Sequence, residues 1–295
     1  MAKEIKNRGA SVRARLLKLS QTSGETFELV LVRYALERLL YRLSVSPYAG
    51  TFILKGGLLM MTWFDNPHRA TRDLDLLGFG DPNPKSLLAT FGIILGMSVD
   101  DGIVFDGNGL RIDRIREDTG YGGLRLRTTA TVGGARVSVT MDIGFGDAVE
   151  PGTEIIDYPV LLDLPVPRLR AYARETVIAE KFQAMVVLGR ANSRMKDFYD
   201  IWILSRSFAF DSDRLARAIH ATFARRNTVI PQDPPDALTP AFAADPQKQI
   251  QWRAFVANLN VDPGPLADVI EALATFLMPH ARAAATPQVG PRDKP

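Results

Sequence analysis

The chain has 295 residues, 46% hydrophobic and 23% charged, and its 36 Lys and Arg against 33 Asp and Glu give a formal net charge of +3. That length exceeds the usual ~100–200 residues of one domain, and the apolar supply suffices for a core without covalent staples. With no cysteine and three histidines, disulfides, thiolate zinc sites and cysteine nucleophiles are excluded and a histidine cage is disfavoured, so any metal should have oxygen ligands, which points to magnesium or manganese.

The opening stretch "MAKEIKNRGASVRARLLKLS" has no apolar run of signal-peptide type and no later segment reaches ~18 apolar residues, so a cytoplasmic location is expected. Residues 1–45 hold nine Lys and Arg against four Asp and Glu. Such a basic region suits a polyanionic partner, although the solvated faces of two amphipathic helices give the same pattern. Apolar spacing predicts those helices over 11–19 and 25–43, joined near Ser23-Gly24.

"TFILKGG" reads as a short buried strand ending at glycines, and "LLMMTWF" as a helical segment broken by Asp65-Asn66-Pro67. "TRDLDLLGFG" alternates as a strand, "PKSLLATFGIILGM" follows as a helix, and residues 103–145 alternate as several antiparallel strands around the turns "DGNG", "GYGG" and "GG". After the Pro-bounded connector "YPVLLDLPVP", helices are predicted over 174–188, 194–206, 211–226, 246–258 and 265–284. The expectation is an α+β chain. Residues 1–165 form N-terminal helices and a small mixed or antiparallel sheet flanked by helices, 166–285 a helical C-terminal domain, and 286–295 a disordered tail.

Residues two apart on a strand share a face at ~6.5–7 Å, so Asp73 and Asp75 project together while Leu74 and Leu76 face the core. In "VSVTMDIGF" the apolar residues Val137, Val139, Met141 and Ile143 face one way and Asp142 the other. If the two strands are neighbours, three carboxylates share one face and want cations between them, the arrangement that phosphoryl or nucleotidyl transfer with two divalent ions requires. The Gly56-Gly57 step offers backbone N–H groups to phosphates. Lys181, in "ETVIAEKFQAMVVLG", and Asp197, in "SRMKDFYDIWIL", both fall on inward helix faces. They form either a structural ion pair or a phosphate clamp oriented by a carboxylate.

Taken in order, "LKGGLLM", "TRDLDLLGF", the later strand aspartate, "AEKFQAM" and "RMKDFYDIW" resemble the AbiEii/AbiGii abortive-infection nucleotidyltransferase toxins, of the DNA polymerase β-like nucleotidyltransferase superfamily, which include mycobacterial toxins that modify tRNA. The resemblance runs from about Phe52 to Leu204. It implies a polymerase β-like sheet, with Asp73, Asp75 and Asp142 as the magnesium-binding acids, Asp142 also helping to deprotonate the acceptor hydroxyl. Asp147 is the alternative third acid. It further implies Lys55, Gly56 and Gly57 as the nucleotide-binding turn with Arg72 nearby, Lys181 as the grip on the nucleotide phosphates, and Asp197 as the essential acid of the last block. Leu58 departs from the pattern, since members often carry Ser or Thr there.

The resemblance implies Mg2+ or Mn2+ as cofactor, a nucleoside triphosphate as substrate, RNA and in particular the tRNA 3′ end as acceptor, and a separately encoded antitoxin as partner. The N-terminal basic helices and Arg214, Arg217, Arg225 and Arg226 are then the expected RNA track. Transfer to a protein hydroxyl, or a non-catalytic nucleotide- or RNA-binding module, are the competing readings.

Overall fold

A computed structural model describes residues 7–64, 69–115, 122–257 and 259–286. The expected break at 65–67, part of the "GYGG" turn and the tail after residue 286 lie outside the described residues. The chain divides into two compact units, Met1–Gly146 with Glu154–Ala171, and Asp147–Thr153 with Tyr172–Pro295.

The first unit starts with α1 (Arg8–Ser23), capped by the Asn7 side chain, which accepts from the Ala10 amide at 3.0 Å, and closed at Gly24 in the left-handed conformation. Thr26 caps α2 (Phe27–Val45). This second helix differs from the amphipathic expectation because it is buried nearly all round, including Glu37, Arg38 and Arg42. Those charges find their partners inside the unit, although one Glu37 oxygen and two Arg38 nitrogens stay without a hydrogen bond. Arg42 donates to both oxygens of the buried Asp101, at 2.6 and 3.1 Å, and Arg38 donates to the Pro165 carbonyl at 2.8 Å.

Then follow β1 (Phe52–Lys55), α3 (Gly56–Met60), β2 (Asp73–Gly78), α4 (Pro84–Leu95), β3 (Ile103–Phe105), β4 (Arg111–Ile115), β5 (Gly123–Val132), β6 (Ala135–Phe145), β7 (Thr153–Asp157) and β8 (Arg168–Tyr172). The eight strands form one open mixed sheet in the order β3-β5-β6-β2-β1-β8-β7, with β4 also paired to β5. β1 runs antiparallel to β2, β2 parallel to β6, and β1 parallel to β8 through Leu54 and Ala171. That last pairing carries the first unit to Ala171, six residues beyond the expected boundary at 165.

The β5–β6 hairpin turns at Gly133-Gly134, both at positive φ (51° and 83°), as a two-residue turn matched to the strand twist requires. Alternation along the hairpin buries Leu124, Leu126, Val137, Val139, Met141 and Ile143 on one side of the sheet and leaves Arg125, Arg127, Thr140 and Asp142 on the other.

The second unit is helical, with α5 (Arg174–Leu188), α6 (Met195–Ser207), α7 (Ser212–Arg225), α8 (Pro240–Ala244), α9 (Pro246–Val256) and α10 (Leu266–Ala285). Five of these match the expected segments; α8, a five-residue helix, was not foreseen and buries Phe242 against Phe198 at 5.5 Å between ring centres. Among the described residues no helix is long and apolar enough to cross a membrane.

Candidate active site

The polar face of the first unit's sheet carries one cross-strand row of charges. Lys55 on β1 is the register partner of Asp75 on β2, Asp75 of Asp142 on β6, Asp142 of Arg125 on β5, and Arg125 of Asp113 on β4. Two residues along, Asp73 stands opposite Thr140 and Thr140 opposite Arg127. The hydrophobic alternation of β2 and β6 produces this row, because burying Leu74, Leu76, Met141 and Ile143 obliges every second residue to face the other way. Asp73 is exposed, and Asp75 and Asp142 are half-buried.

Between the two aspartates named as the possible third acid, only Asp142 belongs to this row. Asp147 follows the end of β6, lies in the second unit and is bound there by Arg226 at 2.9 Å. Asp142 is itself engaged: Arg125 donates to both of its oxygens, at 2.7 and 2.6 Å. That hydrogen bond, then the attraction of Asp142, Asp73 and Asp75, raises the Arg125 guanidinium above its ordinary range against the opposing cost of desolvation.

The acids' chemistry fits a hard divalent cation, since Asp73 and Asp75 present carboxylate oxygens on one face of one strand. The set is a pair with a third member committed elsewhere. Among the described residues, no three acidic or histidine side chains are gathered so that they could hold a metal ion.

Steric demand accounts for the glycine turn. Gly56 has φ 71°, and a Cβ there would lie 2.0 Å from a carboxylate oxygen of Asp75; a Cβ on Gly57 would lie 2.8 Å from the Thr71 hydroxyl and 3.2 Å from an Arg69 guanidinium nitrogen. The two glycines therefore let Asp75 and the 69–71 segment close over the turn. α3 spans only five residues, and Lys55 at its N-cap position makes no side-chain cap hydrogen bond. Leu58 is fully buried, so the residue that departs from the resembled pattern is here part of the core. Arg72 is exposed and pairs with Glu28 of α2 at 2.5 Å.

Lys181 and Asp197 belong to the second unit. The expected contact between them is present at 2.5 Å, and Asp200 adds a second carboxylate at 2.9 Å. With side-chain exposures of 13%, 7% and 1%, the three form a largely buried cluster whose net charge is negative. Asp200, three residues beyond Asp197 on the same helix face, was not foreseen as a partner of Lys181.

The expected RNA track is only partly available. Arg38 and Arg42 are interior, leaving Arg13, Arg15 and Lys18 exposed on α1. Arg214 pairs with Glu175 at 3.2 Å, Arg217 with Glu150 at 3.1 Å, and Arg226 with Asp147 and Glu180 at 2.9 and 3.3 Å, while Arg225 is exposed. Arg214, Arg217 and Arg226 thus already have acidic partners.

Arg125 is the residue that sequence reasoning missed. Its signal was in the hairpin: Val132 and Ala135 flank the glycine turn, and stepping seven residues back along β5 and seven forward along β6 brings Arg125 opposite Asp142.

An acidic pair on β2 beside a third acid on its parallel neighbour is an arrangement that two-cation nucleotidyl transfer can use, and comparison with known proteins gives the family. The chain belongs to the AbiEii family: the model for the nucleotidyl transferase AbiEii toxin of type IV toxin–antitoxin systems matches residues 38–278. No curated protein matches the chain. Among solved structures it is similar to JHP933 from Helicobacter pylori, with 17% identity, TM-score 0.47, and 88% of this chain and 93% of that one covered. A candidate nucleotidyltransferase from H. pylori gives the same identity and TM-score, with 88% of this chain and 96% of that one covered.

Proposed function

We propose that the protein is a divalent-cation-dependent nucleotidyltransferase that moves a nucleotide from a nucleoside triphosphate to an RNA hydroxyl, the 3′ end of tRNA being the acceptor that blocks translation. The observation that carries this reading is the row in which Asp142 stands in register with Asp75, two residues from Asp73 on the same strand face. In the reaction the acceptor oxygen bonds to the α-phosphorus, the bond from that phosphorus to the bridging oxygen breaks, and pyrophosphate leaves. The hydroxyl proton passes to the Asp142 carboxylate. Asp73, Asp75 and Asp142 would hold magnesium or manganese, which when bound would lower the charge barrier at the triphosphate.

The chain's own groups set the conditions for that step. Gly56 keeps the space beside Asp75 free of a side chain, Gly57 does the same beside Thr71 and Arg69, and Lys55 brings a positive charge to the row on the far side from Arg125. Lys181 and Asp197 enter the proposal through the family pattern, Lys181 as a ligand of the nucleotide phosphates and Asp197 as the acid that orients it. Membership of a type IV toxin–antitoxin family implies an antitoxin, encoded separately, as the protein partner.

The test is incubation of the purified protein with magnesium, each α-labelled nucleoside triphosphate in turn, and total tRNA, beside Asp75→Asn. Label entering RNA with the wild type alone supports the reading and identifies the nucleotide. Label on protein overturns the RNA acceptor, and nucleotide binding without pyrophosphate release overturns the catalytic role.

A further inference from the structure

Arg125 occupies the middle of the charge row, between Asp142 on β6 and Asp113 on β4, and each is its direct register partner. It is committed to one side, with two hydrogen bonds to Asp142. On the other side Asp113 is bridged by Arg127 from the diagonal position, and both of those side chains are more than half exposed. A guanidinium fork on both oxygens of a carboxylate is a strong, planar interaction that uses the lone pairs a cation would need. It also sets a fixed positive charge beside the acids, which draws further on Asp73 and Asp75. A divalent ion arriving at the row therefore meets, at Asp142, an acid already neutralised by a cation that it has to displace.

The same arrangement supplies a destination. Asp113 stands as close to Arg125 in register as Asp142 does, and its present partner Arg127 is solvated enough to share it. A side chain in the middle of three adjacent strands, with a carboxylate on either hand, can exchange partners without moving its backbone.

We propose that Arg125 is a positioning residue that serves as the internal counter-ion of Asp142 until a divalent cation takes that carboxylate over, and that Asp113 receives the displaced guanidinium. The proposal rests on the transferase reading of the acid row, and it makes cation loading an exchange of one positive charge for another. Without such an exchange, three carboxylates on adjacent positions would repel one another in the cation-free protein.

The test is Mn2+ binding to the full-length protein without nucleotide, read from the electron paramagnetic resonance signal of free Mn2+. Arg125→Gln is expected to bind Mn2+ at least about fivefold more tightly than wild type, and the gain is expected to vanish in the Arg125→Gln/Asp142→Asn double variant, as coupling between two contacting residues requires. Asp113→Asn, which removes the destination, is expected to weaken binding about twofold or more. Unchanged affinity in Arg125→Gln overturns the proposal. So does a gain of the same size with Asp142→Asn present, because that would reflect simple removal of charge. If Arg125→Gln does not fold, Arg125→Lys keeps the charge and loses the two-point fork; equal affinity to wild type in that variant overturns the proposal as well. Loss of binding in Asp75→Asn alongside a failed Arg125 result leaves the transferase reading standing. Absence of Mn2+ binding in wild type and Arg125→Gln alike overturns both.

Discussion

Gly56 leaves the space that an Asp75 carboxylate oxygen fills: a Cβ at residue 56 would sit 2.0 Å from it, on a backbone whose φ is already 71°. Gly56→Ala therefore meets two penalties. The left-handed backbone alone costs roughly 1–3 kcal/mol for a residue with a side chain, and the overlap forces Asp75 to turn away. Thermal unfolding should show a lowered midpoint, and Gly56→Ala/Asp75→Gly should recover part of the stability and none of the transfer activity. An unchanged midpoint in Gly56→Ala would refute the steric account.

Asp75→Asn separates chemistry from fold. The strand keeps its alternation, because Asn has the shape of Asp and leaves the packing between β2 and β6 unchanged. The expected result is a midpoint close to that of wild type, with nucleotide transfer reduced at least ~10³-fold. Parallel loss of both would make Asp75 a structural residue.

Lys181 holds two carboxylates that are almost entirely out of water. Lys181→Ala removes a shared cation from both, and breaking a buried pair in this way costs on the order of 3–5 kcal/mol. Chemical denaturation should register that loss, and Lys181→Ala/Asp200→Asn should restore part of it. A phosphate-binding role predicts, in addition, that Lys181→Arg retains stability while the KM for nucleoside triphosphate rises. Retention of both stability and KM would leave only the structural role.

Glu37 gives the first unit a pH-dependent stability. Burial, opposed by the Leu161 amide and by Arg38, pushes its carboxyl from 4.5 up to about 7. The Arg38 guanidinium nitrogen lies 3.1 Å away, yet it is not aligned as a hydrogen bond, so the ionised form is poorly compensated. Because the folded-state value lies above the unfolded one, the stability contributed by the protonated form is complete below about pH 4.5 and is lost as pH rises through about 7. Across that window wild type should lose on the order of 3 kcal/mol relative to Glu37→Gln. A constant difference between the two proteins in denaturation at pH 4.5, 6 and 8 would contradict it.

The sheet's charge row was legible wherever pairing is local. Strict alternation in "TRDLDLLGF" and "VSVTMDIGF" identified which aspartates face away from the core, and the glycine pair at 133–134 fixes the β5–β6 register by counting. The parallel pairing of β2 with β6 was posed only as a condition, since nothing local dictates which strands meet across more than sixty residues. β8 was hidden for the same reason: "RLRAY" is too short to signal a strand without its neighbour β1. The buried charges of α2 escaped because the partners that make them tolerable, Asp101 and the Leu161 and Pro165 backbone groups, are distant in the chain. In the second unit, periodicity found the long helices and the Lys181–Asp197 contact, while the acids that occupy Arg214, Arg217 and Arg226 could not be anticipated from a cluster of arginines alone.

The hairpin turn at Gly133-Gly134 is held in place by the first turn of α1. A Cβ on Gly133 would fall 2.6 Å from the Gly9 carbonyl, and one on Gly9 would fall 3.1 Å from the Gly133 amide. Those glycines lie far along the strands from Arg125 and Asp142, yet they work as the zero mark of a ruler. Adding one residue to either limb of the hairpin would slide the scale by a notch and turn a charge into the core, so any length change between turn and acid has to be matched on the opposite limb. α1, which precedes the family-matched residues 38–278, thereby guards the spacing on which the charge row depends.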